Sequence, residues 1–239
     1  MGHGPSSSGA VGLRLFELES RRTSSLETMC PLGTVLRAGA HRRREVSSPS
    51  VASVDVIFEG YLGRPDHRVG STVGLIRSDD LVVIVDPGLV PRPQSILEPL
   101  ATRGLVPADV TDVVFSHHHP DHTLNAALFS GARFHDHWAI YEGDLWTDRD
   151  AEGFQLGPDV SLLHVRGHSD EDVATLVQTA GGLVVFTHAW WTAEVPIEDP
   201  YAPDAARLHE ARARLLDLAP TLIIPGHGAP FQPGPGTPR

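Results

Sequence analysis

The sequence predicts an α/β fold from residue 51 onward. Short apolar runs, of the length of buried strands, alternate there with helix-like segments. Polar motifs with histidine or aspartate follow several of these runs directly, which is where α/β proteins build their sites. The chain has 239 residues, of which 41 % are apolar, enough for one large domain with a sizeable core or for two small domains. By itself, such alternation is typical of a single parallel sheet.

Composition and charge exclude several classes of protein. The net charge of −11 argues against a general nucleic-acid binder with a basic face, although a nuclease with a local basic groove stays possible. No apolar run is long enough to span a bilayer, so we expect no membrane partner and a cytoplasmic location. Cys30 is the single cysteine, which excludes an intrachain disulfide and a thiolate metal cluster.

The first 50 residues differ from the rest of the chain. Seven arginines and four glutamates give this serine- and glycine-rich stretch a net charge of +3. It has little apolar periodicity, so we expect a disordered extension, and Met29 offers an alternative start. The folded domain is predicted over residues 51–231, followed by a flexible, proline-rich tail at 232–239.

Within the domain, apolar periodicity and turn residues place the elements. Strands are predicted over residues 54–58, 72–77, 81–86, 110–115, 133–137, 160–165, 173–178, 183–187 and 221–224. Helices are predicted over 93–104 and 203–218, with a short apolar helix over 124–129. Pro99 predicts a kink or an early stop in the first helix. Residues 141–158 are expected to form a loop that covers a pocket or packs on the core.

A dense cluster of metal-ligating residue types follows the strand at 110–115. The sequence there is Ser116-His117-His118-His119-Pro120-Asp121-His122. Four imidazoles and a carboxylate within six residues suit a borderline divalent cation such as zinc. The alternative is a polyhistidine surface loop without a function.

Four further motifs come directly after predicted strands. They are Val85-Asp86-Pro87-Gly88, Arg166-Gly167-His168-Ser169, Thr187-His188 and Pro225-Gly226-His227. A single Gly-His pair is a weak signal, and Asp86 alone is as well explained by an ordinary turn. Their combination and order make the signal specific.

With the His-x-His-x-Asp-His cluster, these motifs resemble the metallo-β-lactamase superfamily over about residues 51–231. The resemblance implies a four-layer αββα sandwich with metals at one edge, in place of a single parallel sheet. It also implies two groups of metal ligands: His117, His119 and His168 for one ion, and Asp121, His122 and His227 for a second. Asp86 would then support the site without binding metal.

The main departure from the superfamily pattern is His188, which stands where most members have a bridging aspartate. An imidazole bound through one nitrogen cannot bridge two ions. Three outcomes stay open: two ions joined mainly by hydroxide, one tight and one weak ion, or a His188 that swings away. We expect two ions of unequal affinity and a more positive cluster that favours an anionic substrate or intermediate. The substitution also disagrees with sulfur dioxygenases, which bind iron through that aspartate.

The resemblance and the ligand set together predict a metallo-hydrolase. A metal-bound hydroxide would attack a small ester-like substrate, such as a thioester, a lactone or a related acyl compound. Asp121 is the catalytic candidate, since it could orient the water or shuttle its proton. The expected cofactor is Zn²⁺, as one or two ions, with Mn²⁺ or iron possible. The alternatives are a metal-dependent nuclease or phosphodiesterase, and a metal-binding protein without catalysis.

Several aromatic and histidine residues near the motifs stay undecided. Trp190 and Trp191 would form either a pocket wall or core. His118 is expected to point away from the metals. His135 and His137 would be ordinary strand residues unless they approach substrate. The oligomeric state is not predicted.

Overall fold

The computed structural model describes residues 51–63, 66–194 and 196–239. The predicted N-terminal extension, with Met29 and Cys30, lies outside the described residues. The limits of the domain at 51–231 therefore stay a prediction. So does the flexibility of the tail, in which the carbonyl of Pro238 accepts a 2.9 Å hydrogen bond from Trp190 Nε1.

The described residues form fourteen strands and three α-helices. In chain order the strands are β1 Ser53–Phe58, β2 Tyr61–Leu62, β3 Val69–Gly70, β4 Val73–Ser78, β5 Leu81–Val85, β6 Asp112–Val114, β7 Arg133–His135, β8 Ala139–Glu142, β9 Leu145–Asp148, β10 Gln155–Gly157, β11 Val160–His164, β12 Val173–Thr179, β13 Gly182–Thr187 and β14 Leu222–Pro225. The helices are α1 Gln94–Thr102, α2 Pro120–Thr123 and α3 Ala205–Asp217, with 3₁₀ turns at Pro107–Asp109 and Ala126–Phe129.

Two mixed sheets carry the fold. The larger has the order β1-β4-β5-β6-β7-β8-β9, with parallel pairing from β5 to β7 and antiparallel pairing elsewhere. The smaller has the order β10-β11-β12-β13-β14, in which only β13 and β14 are parallel. β2 and β3 form a separate antiparallel hairpin.

Three apolar clusters show that the molecule has four layers. The central cluster joins both sheets, the second lies between the larger sheet and α1, and the third lies between the smaller sheet and α3. Alternation along β5 makes this possible, because Val83 and Val85 face the central cluster while Ile84 faces α1. The predicted αββα sandwich is confirmed, and the single parallel sheet is wrong.

Two local predictions fail for identifiable reasons. The early stop at Pro99 is wrong, since α1 continues to Thr102 and buries Ile96 and Leu100 completely. That burial offsets the one backbone hydrogen bond that proline removes. The loop predicted over 141–158 is also wrong, because β8 and β9 form a hairpin around Gly143, whose φ is 61°. Every residue of β9 is exposed, so no apolar alternation marks this strand in the sequence.

The topology brings the motif loops to one edge. Asp86 follows β5 and the His117–His122 cluster follows β6, while His168, His188 and His227 follow β11, β13 and β14. β11 runs in the same direction as β13 because two antiparallel pairings separate them. Backbone hydrogen bonds tie the two sheets together at this edge, from Val173 N to Ser116 O at 2.7 Å and from Thr72 N to Gly226 O at 2.8 Å.

None of the described helices is long and apolar enough to cross a bilayer. The cytoplasmic location stays a prediction.

We predict that Gly74→Ala destabilises the contact between the two sheets. A Cβ at Gly74 in β4 would lie 2.2 Å from Cε1 of Phe186 in β13. We expect the free energy of unfolding, measured with denaturant, to fall by about 1–3 kcal/mol.

The control is Gly131→Ala, since no atom lies within 4 Å of its added Cβ. Adding Phe186→Leu to Gly74→Ala should recover part of the loss, because the two positions share one contact. Equal destabilisation by Gly74→Ala and Gly131→Ala would show that the sheets adjust around the methyl group.

Candidate metal centre

Three histidines from two loops direct ring nitrogens at one point. His117 Nε2 lies 2.9 Å from His119 Nδ1, which lies 3.0 Å from His168 Nε2. These are the residues that the sequence assigned to the first ion. Their meeting depends on the sandwich, because β6 and β11 belong to different sheets.

A second group lies beside the first. His188 Nε2 is 3.2 Å from His227 Nε2, and Asp121 Oδ2 is 3.4 Å from His122 Nε2 and 3.6 Å from His227 Nε2. His188 belongs to two sets of three buried histidines that could hold a metal ion, one with His117 and His168 and one with His122 and His227. The structure therefore brings together all seven predicted ligands, with His188 shared between the two halves.

Hydrogen bonds on the remote nitrogens orient the buried histidines. Asp86 Oδ2 accepts from His122 Nδ1 at 2.8 Å, and the carbonyl of Gly70 accepts from His227 Nδ1 at 2.8 Å. These acceptors keep a proton on Nδ1, so that Nε2 of each ring faces the cluster. Asp86 thus has the supporting position that the sequence predicted.

His168 is oriented in the same way by a residue that the sequence did not reveal. Asp199 Oδ2 accepts from His168 Nδ1 at 2.6 Å and from Trp191 Nε1 at 2.7 Å, and Oδ1 accepts from the backbone N–H of Tyr201 at 2.8 Å. Burial would raise the pKa of Asp199, but the hydrogen bonds from His168, the Tyr201 backbone and Trp191 hold this pKa below its usual value. No motif surrounds Asp199 in the sequence, and it lies 31 residues from His168, so only the fold shows the contact.

A buried arginine holds the loop that carries these residues. Arg212 on α3 donates to the carbonyls of Ala189, Pro196 and Ile197 at 2.7, 2.9 and 2.8 Å. A buried guanidinium is costly unless its donors are satisfied, so the loop is bound firmly to the helix.

Backbone geometry brings the supporting aspartate to the cluster. Asp86 has a φ of 52°, a conformation that aspartate tolerates better than most side chains. Its Oδ1 accepts from Ser116 N at 2.7 Å, while Ser116 Oγ lies 3.0 Å from His117 Nδ1. The neighbouring Gly88 is required sterically, because a Cβ there would lie 1.7 Å from the carbonyl oxygen of Asp121.

Glycine is also required beside His188. A Cβ at Gly226 would lie 2.2 Å from His188 Cδ2 and 2.8 Å from His188 Nε2. The imidazole therefore occupies space that any other residue at 226 would fill.

The protonation states of the cluster suit a cation. Burial, and then the charges of neighbouring histidines, keep the pKa values of His117 and His188 well below their usual value. Burial likewise lowers the pKa of His227 to about 4. These imidazoles are neutral at pH 7, with lone pairs directed at one another.

His122 is the exception. Burial disfavours its charged form, but Asp86 and Asp121 outweigh burial and raise its pKa to about 9. Conversely, burial would raise the pKa of Asp121, but the contact with His122 lowers it to about 2.

The donors in this cluster fit a divalent ion. His188 Nδ1 is buried and has no hydrogen-bond partner among the described residues. Converging neutral imidazoles and one ionised carboxylate are the ligands of zinc, iron and related metals. A bound cation would satisfy the lone pairs that face one another here.

The other sequence candidates lie outside the cluster. His118 points away as predicted and contacts Asp136 Oδ2 at 3.1 Å and Glu171 Oε2 at 3.0 Å. His135 is buried, and its Nε2 lies 2.8 Å from Asp112 Oδ1. His137 stacks on Trp138 beyond the end of β7. Neither histidine lines the cleft over the cluster.

The two neighbouring tryptophans have different roles. Trp190 is buried in the cluster between the smaller sheet and α3. Trp191 lines the cleft and stacks on Tyr201, with ring centres 5.7 Å apart. The sequence left open whether these tryptophans form core or a pocket wall, and the structure places Trp190 in the core and Trp191 in the pocket wall.

A cleft of about 850 Å³ lies above the cluster. His119, Asp121, His168, His188 and His227 line it, so five of the seven candidate ligands can be reached from solvent. This volume is typical of small-molecule sites.

Comparison with known proteins identifies the family. The family model described as the metallo-β-lactamase superfamily matches residues 68–188. The metallo-β-lactamase domain-containing protein 1 of Xenopus laevis is 31 % identical over 191 residues, which cover 75 % of this chain and 81 % of the frog protein. The chain belongs to the metallo-β-lactamase superfamily. The predicted metallo-hydrolase is confirmed at the level of this superfamily.

Mammalian proteins with the same name as the frog relative match less of their length. Identities are 32 % in Rattus norvegicus and 34 % in Homo sapiens, and the chain covers 62 % and 59 % of these proteins.

Solved structures share the metallo-β-lactamase fold at low sequence identity. A Thermotoga maritima protein proposed to be a metallo-β-lactamase superposes with a TM-score of 0.59 at 22 % identity, covering 77 % of this chain and 100 % of its own. An N-acyl homoserine lactone hydrolase, with the product N-hexanoyl-L-homoserine at its catalytic metal centre, superposes with a TM-score of 0.56. It is 19 % identical and covers 76 % of this chain and 94 % of its own. The motif loops of this metallo-β-lactamase superfamily member thus lie on the expected fold.

We predict that metal binding to the metal-free protein tightens as the pH rises toward 9. With a pKa of about 9, His122 is protonated at neutral pH and must lose a proton before Nε2 can bind metal. The apparent Kd for Zn²⁺ should fall about tenfold per pH unit between pH 7 and 9, with release of about one proton at pH 7. Competition with a chromogenic chelator measures the apparent Kd, and calorimetry in two buffers measures the number of protons released.

Asp86→Asn is the companion variant for this experiment. It removes the carboxylate that favours protonated His122, so the pH dependence should move to lower pH. Zinc binding without proton release at pH 7 would show that His122 is neutral in the metal-free protein.

Proposed function

We propose that this protein is a metal-dependent hydrolase of a small ester-like substrate, such as a thioester, a lactone or a related acyl compound. The observation that carries the proposal is the convergence of six histidines and one ionised aspartate at the floor of a cleft of about 850 Å³. The chain belongs to a superfamily that includes metallo-hydrolases, which supports this proposal.

We propose Zn²⁺ as the resident ion, with Mn²⁺ or iron as alternatives, because imidazole-rich sites suit borderline metals. His117, His119 and His168 would hold one ion. A second would be held by Asp121, His122 and His227, and His188 could complete either group. A bound divalent ion lowers the pKa of water to about 7 and polarises a carbonyl.

Asp121 orients the water in this proposal. Its carboxylate lines the cleft and, with a pKa of about 2, is ionised at any pH near neutrality. Oδ2 can therefore accept a hydrogen bond from a water molecule next to the substrate. So low a pKa makes Asp121 a weak base, which favours orientation of the water over storage of its proton.

His188 sets the charge of the centre. The seven candidate ligands include a single carboxylate, that of Asp121, whereas a bridging aspartate at 188 would add a second. The cluster therefore neutralises less of the charge on bound cations, which favours an anionic substrate or a developing oxyanion.

The residues that line the cleft favour a small substrate over nucleic acid. Arg68 is the one arginine among the described residues that line the cleft. A nuclease needs several cations along the path of the phosphates. The lactone hydrolase with the same fold holds an acyl product at its metal centre, which supports an acyl substrate here.

Hydrolysis by the zinc-loaded protein is the direct test. We expect turnover of a thioester or a lactone that stops with a chelator and returns with Zn²⁺. Asp121→Asn should lower kcat by about a hundredfold. The matched control is Asp217→Asn, which changes an exposed aspartate at the end of α3 and should leave kcat unchanged.

Other outcomes would replace this proposal. Turnover of bis(p-nitrophenyl) phosphate alone would indicate a phosphodiesterase. Metal binding without turnover of any ester, thioester, lactone or phosphodiester would indicate a metal-binding protein without catalysis.

We also predict that two ions bind with unequal affinity and that His188→Asp brings the two affinities closer. A carboxylate can bridge two ions with two oxygens, and a singly bound imidazole cannot. Elemental analysis and a metal titration measure both proteins, with His209→Asp on the exposed face of α3 as the control. Two equally tight sites in the unsubstituted protein would contradict the prediction, and a single ion would indicate a mononuclear site.

A further inference from the structure

Three side chains that are not candidate metal ligands line the cleft beside the metal centre. Arg68 comes from the β2–β3 hairpin. Trp191 and Tyr201 come from the loop after β13, beyond the candidate ligand His188. We call these two rings the aromatic wall. Because none of the three side chains is assigned to an ion, all are available to select a substrate.

Arg68 is a cation without an anionic partner among the described residues. Its side chain is exposed and makes no ion pair with any described residue. The guanidinium carbon lies 6.0 Å from the centre of the Tyr61 ring, a contact that positions the cation and leaves its charge uncompensated. An arginine in this state can form a bidentate pair with a carboxylate.

The aromatic wall is attached rigidly to the metal centre. The carboxylate of Asp199 binds the Trp191 indole, the Tyr201 backbone and the remote nitrogen of His168. A single side chain therefore fixes the distance between the wall and a candidate ligand. Such preorganisation lowers the entropy that a ligand loses when it binds there.

The wall also presents apolar surface to the cleft. Tyr201 is 69 % exposed, although its ring is stacked on Trp191 with an angle of 18° between the planes. A planar group of a ligand would cover this ring and remove it from water. Stacking and burial both favour that contact.

We propose that the cleft takes an anionic acyl substrate with a planar apolar group. The planar group would contact the aromatic wall, and a carboxylate beyond the scissile bond would pair with Arg68. The single carboxylate among the candidate ligands adds to the preference for an anion. The substrate class rests on the proposed hydrolase function, whereas the two contacts can be tested by binding alone.

The kinetic test uses four thioesters with the zinc-loaded protein. Phenylacetyl and acetyl groups are each joined to 3-mercaptopropionate, which is anionic, and to N-acetylcysteamine, which is neutral. Water adds to the carbonyl, the C–S bond breaks, and the thiol and carboxylic acid are released. We expect kcat/KM to be about tenfold higher for the anionic thiol and about tenfold higher for the phenylacetyl group.

Variants separate the two contacts. Arg68→Gln should abolish the preference for the anionic thiol, mainly through KM, and keep the preference for phenylacetyl. Tyr201→Leu should abolish the preference for phenylacetyl and keep the preference for the anionic thiol. Arg92→Gln changes an exposed arginine outside the cleft and should keep both preferences.

A binding experiment keeps the test independent of catalysis. Calorimetry compares 3-phenylpropionate with the neutral 3-phenylpropanol on the zinc-loaded protein. We expect the acid to bind about tenfold more tightly, and Arg68→Gln to remove the difference. A preference that survives Arg68→Gln would place the carboxylate on the metal and overturn the assignment.

The outcomes distinguish the two proposals. Equal kcat/KM for all four thioesters would keep the hydrolase and overturn the substrate class. No turnover, together with an Arg68-dependent preference for the acid, would overturn the hydrolase and keep the two contacts. No turnover and no such preference would overturn both.

Discussion

The candidate centre depends on the alignment of the two sheets at one edge. β5 and β6 end there in the larger sheet, and β11, β13 and β14 end there in the smaller. Backbone hydrogen bonds between Val173 and Ser116 and between Thr72 and Gly226 hold this alignment. A shift by one residue in either sheet would turn its side chains to the other face and separate the histidines. The central apolar cluster therefore supports the chemistry as well as the stability.

The second constraint is the pairing of three buried imidazoles with fixed acceptors. Asp86, Asp199 and the carbonyl of Gly70 bind the remote nitrogens of His122, His168 and His227 and so direct the other nitrogen of each ring inward. His188 has no such acceptor among the described residues, and its Nδ1 is buried without a partner. The residue that departs from the superfamily pattern is thus also the least constrained of the buried imidazoles.

The sequence predicted the parts of the site that are local. The His-x-His-x-Asp-His spacing and the motifs at strand ends carry the resemblance that implied all seven residues, and each motif lies next to a strand with a clear apolar pattern. The αββα arrangement came from the resemblance, since alternating strands and helices alone favour one sheet.

What the sequence missed is not encoded locally. Asp199 lies in a loop without a motif, and its role depends on a contact with His168 across 31 positions. β9 was missed because all of its residues are exposed and show no alternation. Tyr201 resembles any surface tyrosine until the fold places it on Trp191.

The space between Gly226 and His188 couples these two positions. The imidazole occupies the volume of a side chain at 226, since a Cβ there would lie 2.2 Å from His188 Cδ2. A larger residue at 226 would therefore force the His188 ring to move, and His188 is the candidate ligand that belongs to both sets of buried histidines. Metal binding by this protein can thus be altered from a position that supplies no ligand.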